Sequence, residues 1–213
     1  MIRYSCGDPS ASCVLVQLVD DHDLSLMASE ARMIRELAGE DFFLLALKVY
    51  NWNKDLTPWN AGAVFGTEDF GDGAGETLTA VLAELKQFGC SKHFYIGGYS
   101  LAGLFALWSV FQTDTFSGAA CASPSIWYPG FTEYMRTNEI HTGSVYLSLG
   151  DREEKTRNKT MSAVGDRIRE AQDILHSRGV ACTLEWNPGN HFREPDLRTA
   201  RAFAWVLQND GNR

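Results

Sequence analysis

The sequence predicts a three-layer α/β domain on a mostly parallel sheet of about six to seven strands. Three observations carry that expectation. Short apolar, β-rich runs alternate with helical patterns almost throughout the chain, most of those runs are apolar on both faces, and Gly and Pro stand between the periodic segments as punctuation.

Taken in order, residues 13–19 (CVLVQLV) form the first such run, and residues 24–38 then place Leu24, Met27, Ala31, Ile34 and Ala38 on one helical stripe ending at Gly39. Residues 42–49 (FFLLALKV) read as the next strand. Residues 76–88 align Leu78, Val81, Leu85 and Phe88 before Gly89. The strand at 93–99 (HFYIGGY) runs into a turn and then into Leu104–Trp108, a helical segment apolar all round and hence buried. Strands follow at 118–122, 144–149 and 180–186. Between the last two, residues 157–178 put Met161, Val164, Ile168, Ala171 and Leu175 on one face, and after Pro195 residues 196–208 align Leu197, Ala200, Phe203 and Leu207.

With 213 residues, 45% of them hydrophobic and 22% charged, the chain reads as a single domain over 1–213. A chain of that length buries roughly 70% of its unfolded surface, enough to fold without a metal or disulfide staple. The formal charge of -8 is the wrong sign for a phosphate backbone, which argues against nucleic acid and anionic membranes as partners. Cys6, Cys13, Cys90, Cys121 and Cys182 are odd in number, widely spaced and without a C-x-x-C pair, a pattern of reduced thiols rather than of disulfides or zinc. No window approaches the length of a membrane span and the first residues do not lead into a signal-peptide core, so a cytoplasmic location is expected. Nothing in the sequence speaks to oligomeric state.

In parallel sheets ligands sit beyond the carboxyl ends of the strands, which directs attention to the loops there. Gly97-Gly98-Tyr99-Ser100-Leu101-Ala102-Gly103 is a strand, a sharp turn and a helix with Ser100 at the apex. A nucleophile elbow needs small residues two before and two after its serine, and Gly98 and Ala102 meet that need. The same pattern also suits a serine capping a core helix; the buried strand before it and buried helix after it favour the elbow.

A serine nucleophile requires a histidine base held by a carboxylate, in the chain order Ser, acid, His. His176 lies beside the apolar stripe of its helix and His141 stands at the amino-terminal end of a strand. His191, in the turn-rich Asn187-Pro188-Gly189-Asn190-His191, follows the last strand at the correct end. Gly150-Asp151-Arg152-Glu153-Glu154 supplies three carboxylates for one role, with Asp151 and Glu153 both candidates. Leu101, directly after the serine, offers one backbone N–H to an oxyanion, and the loop Asp20-Asp21-His22-Asp23 offers the second. Trp52, Trp59, Trp127 and Tyr128 fall in or near loops after strands. Trp52, Trp127 and Tyr99 are the candidates for a substrate wall, against the alternative that such aromatics pack the loops onto the sheet.

The runs GGYSLAGLFALW and SPSIWYPGF, the GDRE turn and the GNHF loop resemble the esterase D-like family of the α/β-hydrolase superfamily, from about residue 13 to the C-terminus. Asp55-Leu56-Thr57-Pro58 resembles the D-Y-T-P segment of its siderophore trilactone esterase branch. The resemblance implies an α/β-hydrolase fold and, from the position three residues after the strand-ending glycine, Glu153 as the acid, with Asp151 second. It also implies the N–H of His22 as second oxyanion donor, although Asp21 stands where the family has glycine. Asp20, Asp21 and Asp23 would oppose an oxyanion unless paired or turned to solvent, and Asp23 also reads as an N-cap for the helix at 24–38. The usual first strands must fit into residues 1–11 or be missing. No insertion is long enough for a cap domain, so an open pocket is expected.

The expected activity is serine-dependent hydrolysis of a small-molecule carboxylic ester, with no metal or organic cofactor required. A thioesterase or small peptidase with the same residues is the first alternative, and a non-catalytic binding protein on this fold the second.

Overall fold

The computed structural model describes residues 2–89 and 91–210, so the expectation of a reduced Cys90 lies outside the described residues; Cys6, Cys121 and Cys182 are free thiols. The chain forms β1 (Ile2–Gly7), β2 (Cys13–Val19), α1 (Asp21–Leu24), α2 (Met27–Ala38), β3 (Phe43–Lys48), α3 (Trp52–Asp55), α4 (Ala74–Leu85) and β4 (His93–Tyr99). It continues with α5 (Leu101–Ser109), β5 (Phe116–Ala122), α6 (Phe131–Thr137), β6 (Ser144–Gly150), α7 (Lys159–Ser162), α8 (Val164–Ser177), β7 (Ala181–Asn187) and α9 (Pro195–Gln208).

The strands form one seven-stranded sheet in the order β1-β3-β2-β4-β5-β6-β7. All neighbours are parallel except β1, which pairs antiparallel with β3 and fills the place left open for residues 1–11. Side-chain alternation along buried strands divides the core in two. Val14, Val16, Leu45, Ile96, Cys121 and Leu147 face α4, α5 and α8, whereas Cys13, Leu15, Leu44, Tyr95, Ala120 and Tyr146 face α2 and α9. Every residue of α5 is buried, as a sequence apolar but for Ser109 requires.

Three details depart from the sequence reading. The helix expected over 24–38 is broken into α1 and α2, and Asp20, not Asp23, caps its start by accepting the Asp23 N–H at 2.8 Å. The segment 157–178 is likewise split into α7 and α8 around Ala163. Strand β7 is a half-exposed edge rather than a buried strand, because no further strand covers it. The longest interval between helices and strands among the described residues is 56–73, and no cap domain is present among them. No described helix is long and apolar enough to cross a membrane.

The order of the strands locates a crevice. From β2 the chain steps to β3 on one side, and from β4 it winds away on the other, so the carboxyl ends of β2 and β4 flank the switch point. Their register pairs Gln17 with Gly97, which brings the β2–α1 loop alongside Ser100.

Candidate active site

Ser100 sits between β4 and α5 with φ 58° and ψ -120°, a backbone conformation that costs energy for a residue with a Cβ. The surroundings hold it there: the Ser100 N–H donates to Ala122 O at 3.2 Å, and Ser100 O accepts the N–H groups of Leu104 and Ser125, each at 3.0 Å. The turn is tight enough that a Cβ on Gly98 would lie 2.6 Å from the Ala102 side chain, which explains the small residues on both sides of the serine.

Glu153 follows β6 and His191 follows β7. These strands run in register to Gly150 opposite Asn187, so the two loops emerge together. The structure brings Ser100, His191 and Glu153 into one hydrogen-bonded line. Ser100 Oγ lies 3.0 Å from His191 Nε2, and His191 Nδ1 lies 2.7 Å from Glu153 Oε2. Burial alone would raise the Glu153 carboxyl. The His191 hydrogen bond and charge, the Gly150 N–H and the Ser123 hydroxyl outweigh it and hold the group below the usual carboxylate range. An ionised Glu153 makes Nδ1 the donor, which leaves Nε2 as acceptor for the Ser100 hydroxyl. Asp151 has a different place: its Oδ1 accepts the Gly189 N–H at 2.8 Å and ties the β6 turn to the β7 loop.

Two residues at the site that sequence reading did not single out are Ser123 and Arg198. Ser123, at φ 39° just past β5, donates its hydroxyl to Glu153 Oε1 at 2.9 Å. Arg198 on α9 is 2% exposed and donates to the same oxygen at 2.9 Å. A signal was present in the sequence. Arg198 lies four residues before Ala202 and eight before Val206, on the buried stripe of α9, whereas Leu197, assigned to that stripe, is only half-buried. A Cβ on Gly150 would approach Gly189 O at 2.5 Å and Glu153 Oε1 at 2.9 Å, so this strand-ending position admits only glycine without rearrangement.

A cavity of about 360 Å³ opens over Ser100 and His191. Trp52, Tyr99, Phe192 and Pro195 give it apolar walls, and Asp20, His22 and Asp23 complete its lining. Tyr99 does more than line it: the hydroxyl donates to His191 O at 2.7 Å, and burial pushes its pKa up to about 12, so it stays protonated. Trp127 is not on this wall. It packs in the core against Phe65, Phe70 and Tyr128, because the apolar loop segment that carries it folds back onto the sheet. Trp59 and Tyr128 serve the same packing, with the Trp59 indole N–H donating to Pro129 O at 2.9 Å.

The Asp55-Leu56-Thr57-Pro58 segment supports the cavity from behind. Asp55 Oδ2 accepts the backbone N–H groups of Tyr50 and Asn51 at 3.1 and 3.0 Å, which fixes the turn leading to Trp52, and buried Thr57 donates to Gly71 O at 3.0 Å.

In the β2–α1 loop, Asp21 faces solvent and pairs with Lys48 at 2.5 Å, which removes it from the cavity. Asp23 lines the cavity, and burial, then the charge of Asp20, raises its pKa to about 6. Leu101 and His22 are the first and second residues of α5 and α1, positions whose N–H groups have no acceptor within their own helix. His141 and His176 are exposed and away from the cavity, His176 Nε2 lying 3.0 Å from Cys182 O. Among the described residues no group of three or more His, Cys, Asp or Glu side chains could hold a metal ion.

The sheet order, the two helical layers and the loops at the strand ends together define an α/β-hydrolase fold. Comparison with solved structures agrees. An IroE-like serine hydrolase from Shewanella oneidensis superposes with a TM-score of 0.76 at 14% identity, over 97% of this chain and 75% of that one. The siderophore hydrolase EstA from Aspergillus nidulans gives 0.67 at 19% identity, over 95% and 85%. The fluorophosphonate-binding serine hydrolase FphF from Staphylococcus aureus gives 0.62 at 12% identity, over 97% and 98%. No protein-family model matches the chain, and a search of curated proteins gives no match.

Proposed function

We propose that this protein is a serine hydrolase that cleaves small-molecule carboxylic esters. The observation that carries the reading is the line from Ser100 Oγ to His191 Nε2 at 3.0 Å and from His191 Nδ1 to an ionised Glu153 at 2.7 Å, opening onto a cavity. The fold shared with serine hydrolases, and with one enzyme named as a siderophore hydrolase, supports it.

In this reading His191 takes the Ser100 proton as the oxygen attacks the acyl carbon. Glu153 holds the imidazole in the tautomer with Nδ1–H and stabilises its cation. The N–H groups of Leu101 and His22 receive the oxyanion. His191 then protonates the leaving alcohol, and a water activated by the same imidazole hydrolyses the acyl-enzyme, which regenerates Ser100. Every proton is carried by a group of this chain. The cavity lining carries Asp20 and Asp23 and no Lys or Arg, so it favours neutral or cationic esters over anionic ones.

The test is a fluorophosphonate probe with intact-mass readout, beside hydrolysis of short-chain aryl esters. Wild type should label once, at Ser100, and turn the esters over. Ser100→Ala should abolish labelling and lower turnover by at least about 10⁴-fold. A folded wild type that neither labels nor hydrolyses would overturn the reading.

A further inference from the structure

We propose that Arg198 is a positioning residue that fixes Glu153 and the His191 loop as one rigid unit. The inference rests on the Ser100–His191–Glu153 reading and assigns a part in it to a residue that is not itself in the cavity lining.

The guanidinium is buried and spreads its donors over the ends of four strands. Nη1 donates to Glu153 Oε1 at 2.9 Å, beyond β6, and lies 3.1 Å from both Ser123 Oγ, beyond β5, and Tyr99 OH, at the end of β4. Nη2 donates to Pro188 O at 3.2 Å and Asn190 O at 3.1 Å, in the loop after β7 that carries His191. One planar group therefore sets the distance between the carboxylate and the backbone beside the imidazole. A lysine ammonium has a single nitrogen and cannot reproduce that fork. Tyr99 closes the circuit, accepting from Arg198 and donating to His191 O at 2.7 Å.

The charge matters as well as the shape. A guanidinium on Glu153 Oε1 offsets part of the negative charge that the imidazole faces, so removing it strengthens the attraction between Glu153 and a protonated ring. The other charged and titratable groups around His191 are Glu153 from the β6 loop, Tyr99 from β4, Asp20, His22 and Asp23 in the cavity lining, and Arg193 and Glu194 in its own loop. Arg198 is the buried cation of this set.

The experiment compares wild type with Arg198→Gln and Arg198→Lys in kcat, KM and the pH profile of kcat/KM for one neutral aryl ester. Arg198→Gln should lower kcat by about 10²-fold with KM within about threefold, the signature of misplaced reacting groups. Its acid limb should move up by about one pH unit. Arg198→Lys retains the charge, so its acid limb should stay at the wild-type position while kcat still falls. The limb's midpoint does not depend on how much enzyme is active, so a loss of folded protein cannot imitate the shift.

If the variants do not fold, ¹⁵N NMR of the wild type decides. Slowly rotating, resolved Arg198 Nη protons that average in Glu153→Gln support the inference, and freely averaging ones in wild type overturn it. Unchanged kcat and limb in Arg198→Gln, with an active wild type, would overturn this inference alone. A folded wild type that neither labels nor hydrolyses overturns the underlying reading and this inference with it.

Discussion

Glu153 and Glu30 both have side chains largely withdrawn from water, and they sit on opposite sides of the ordinary carboxylate range. Glu30, on α2, is 2% exposed, and burial raises it well above that range, with Asp23 and Asp196 adding to the rise against one long contact from Gln17 Nε2 at 3.4 Å. Its Oε1 and Gln17 Oε1 have no hydrogen-bond partner. Glu153 receives the Gly150 N–H, the Ser123 hydroxyl, Arg198 and the His191 imidazole, and it is lowered. Burial penalises charge at both sites; the number of donors aimed at the oxygens decides the sign. One flank of Ser100 is thereby preorganised around an ion, while on the β2–α1–α2 flank burial raises Asp23 and Glu30.

That contrast can be broken most directly at the two candidate acids. Glu153→Gln should lower kcat by about 10³–10⁴-fold, because the amide cannot stabilise an imidazolium. Asp151→Asn, which alters only the tie to Gly189, should stay within about threefold. Equal losses would show that the β6 loop acts through its shape and not through one carboxylate. Steady-state kinetics on one aryl ester separates the two.

The acidic flank predicts a smaller effect on selectivity. Among three matched esters whose alcohols carry a trimethylammonium, a tert-butyl or a carboxylate group, kcat/KM should fall in that order, and Asp23→Asn should narrow the span by about three- to tenfold. Because Asp23 titrates at about 6, the wild-type span should also shrink below that pH, as the carboxylate protonates and its charge is lost. A span unchanged by both the substitution and the pH would remove Asp23 from specificity.

The smallest expected effect is on stability. A raised carboxyl binds its proton more tightly folded than unfolded. Glu30 therefore costs nothing below the ordinary value of 4.5 and progressively more as pH rises from there toward its folded value. Glu30→Gln should stabilise by about 1–2 kcal/mol at pH 8, or about 2–8 °C in Tm, and by little at pH 4. Glu153 carries the opposite sign: its contribution is present above 4.5 and is lost as pH falls through its lowered folded value. Thermal melts of wild type and the two variants across this range test both signs.

Much of this arrangement was legible in the chain. Alternating apolar runs gave the sheet and its layers, because a strand buried on both faces has to be apolar along its whole length. The small residues around Ser100 marked the turn, because a strained backbone and a close helix exclude larger side chains. Position in the loop beyond the last strand singled out His191 among the histidines after Ser100. The acid was narrowed to Asp151 and Glu153, and only resemblance favoured Glu153.

Tertiary structure decided what local pattern cannot carry. Glu153 and Asp151 are two residues apart and chemically alike, and only the packing of β5, β7 and α9 around Oε1 and Oε2 distinguishes them. Trp127 and Trp52 both follow strands, and the path of their loops sends one into the core and the other to the cavity. Arg198 stands on the buried stripe of α9, but its partners come from four strand ends distant in the chain. Periodicity and turn chemistry are local and can be read along the chain, whereas the protonation state and role of a buried polar group depend on donors and acceptors distant in sequence.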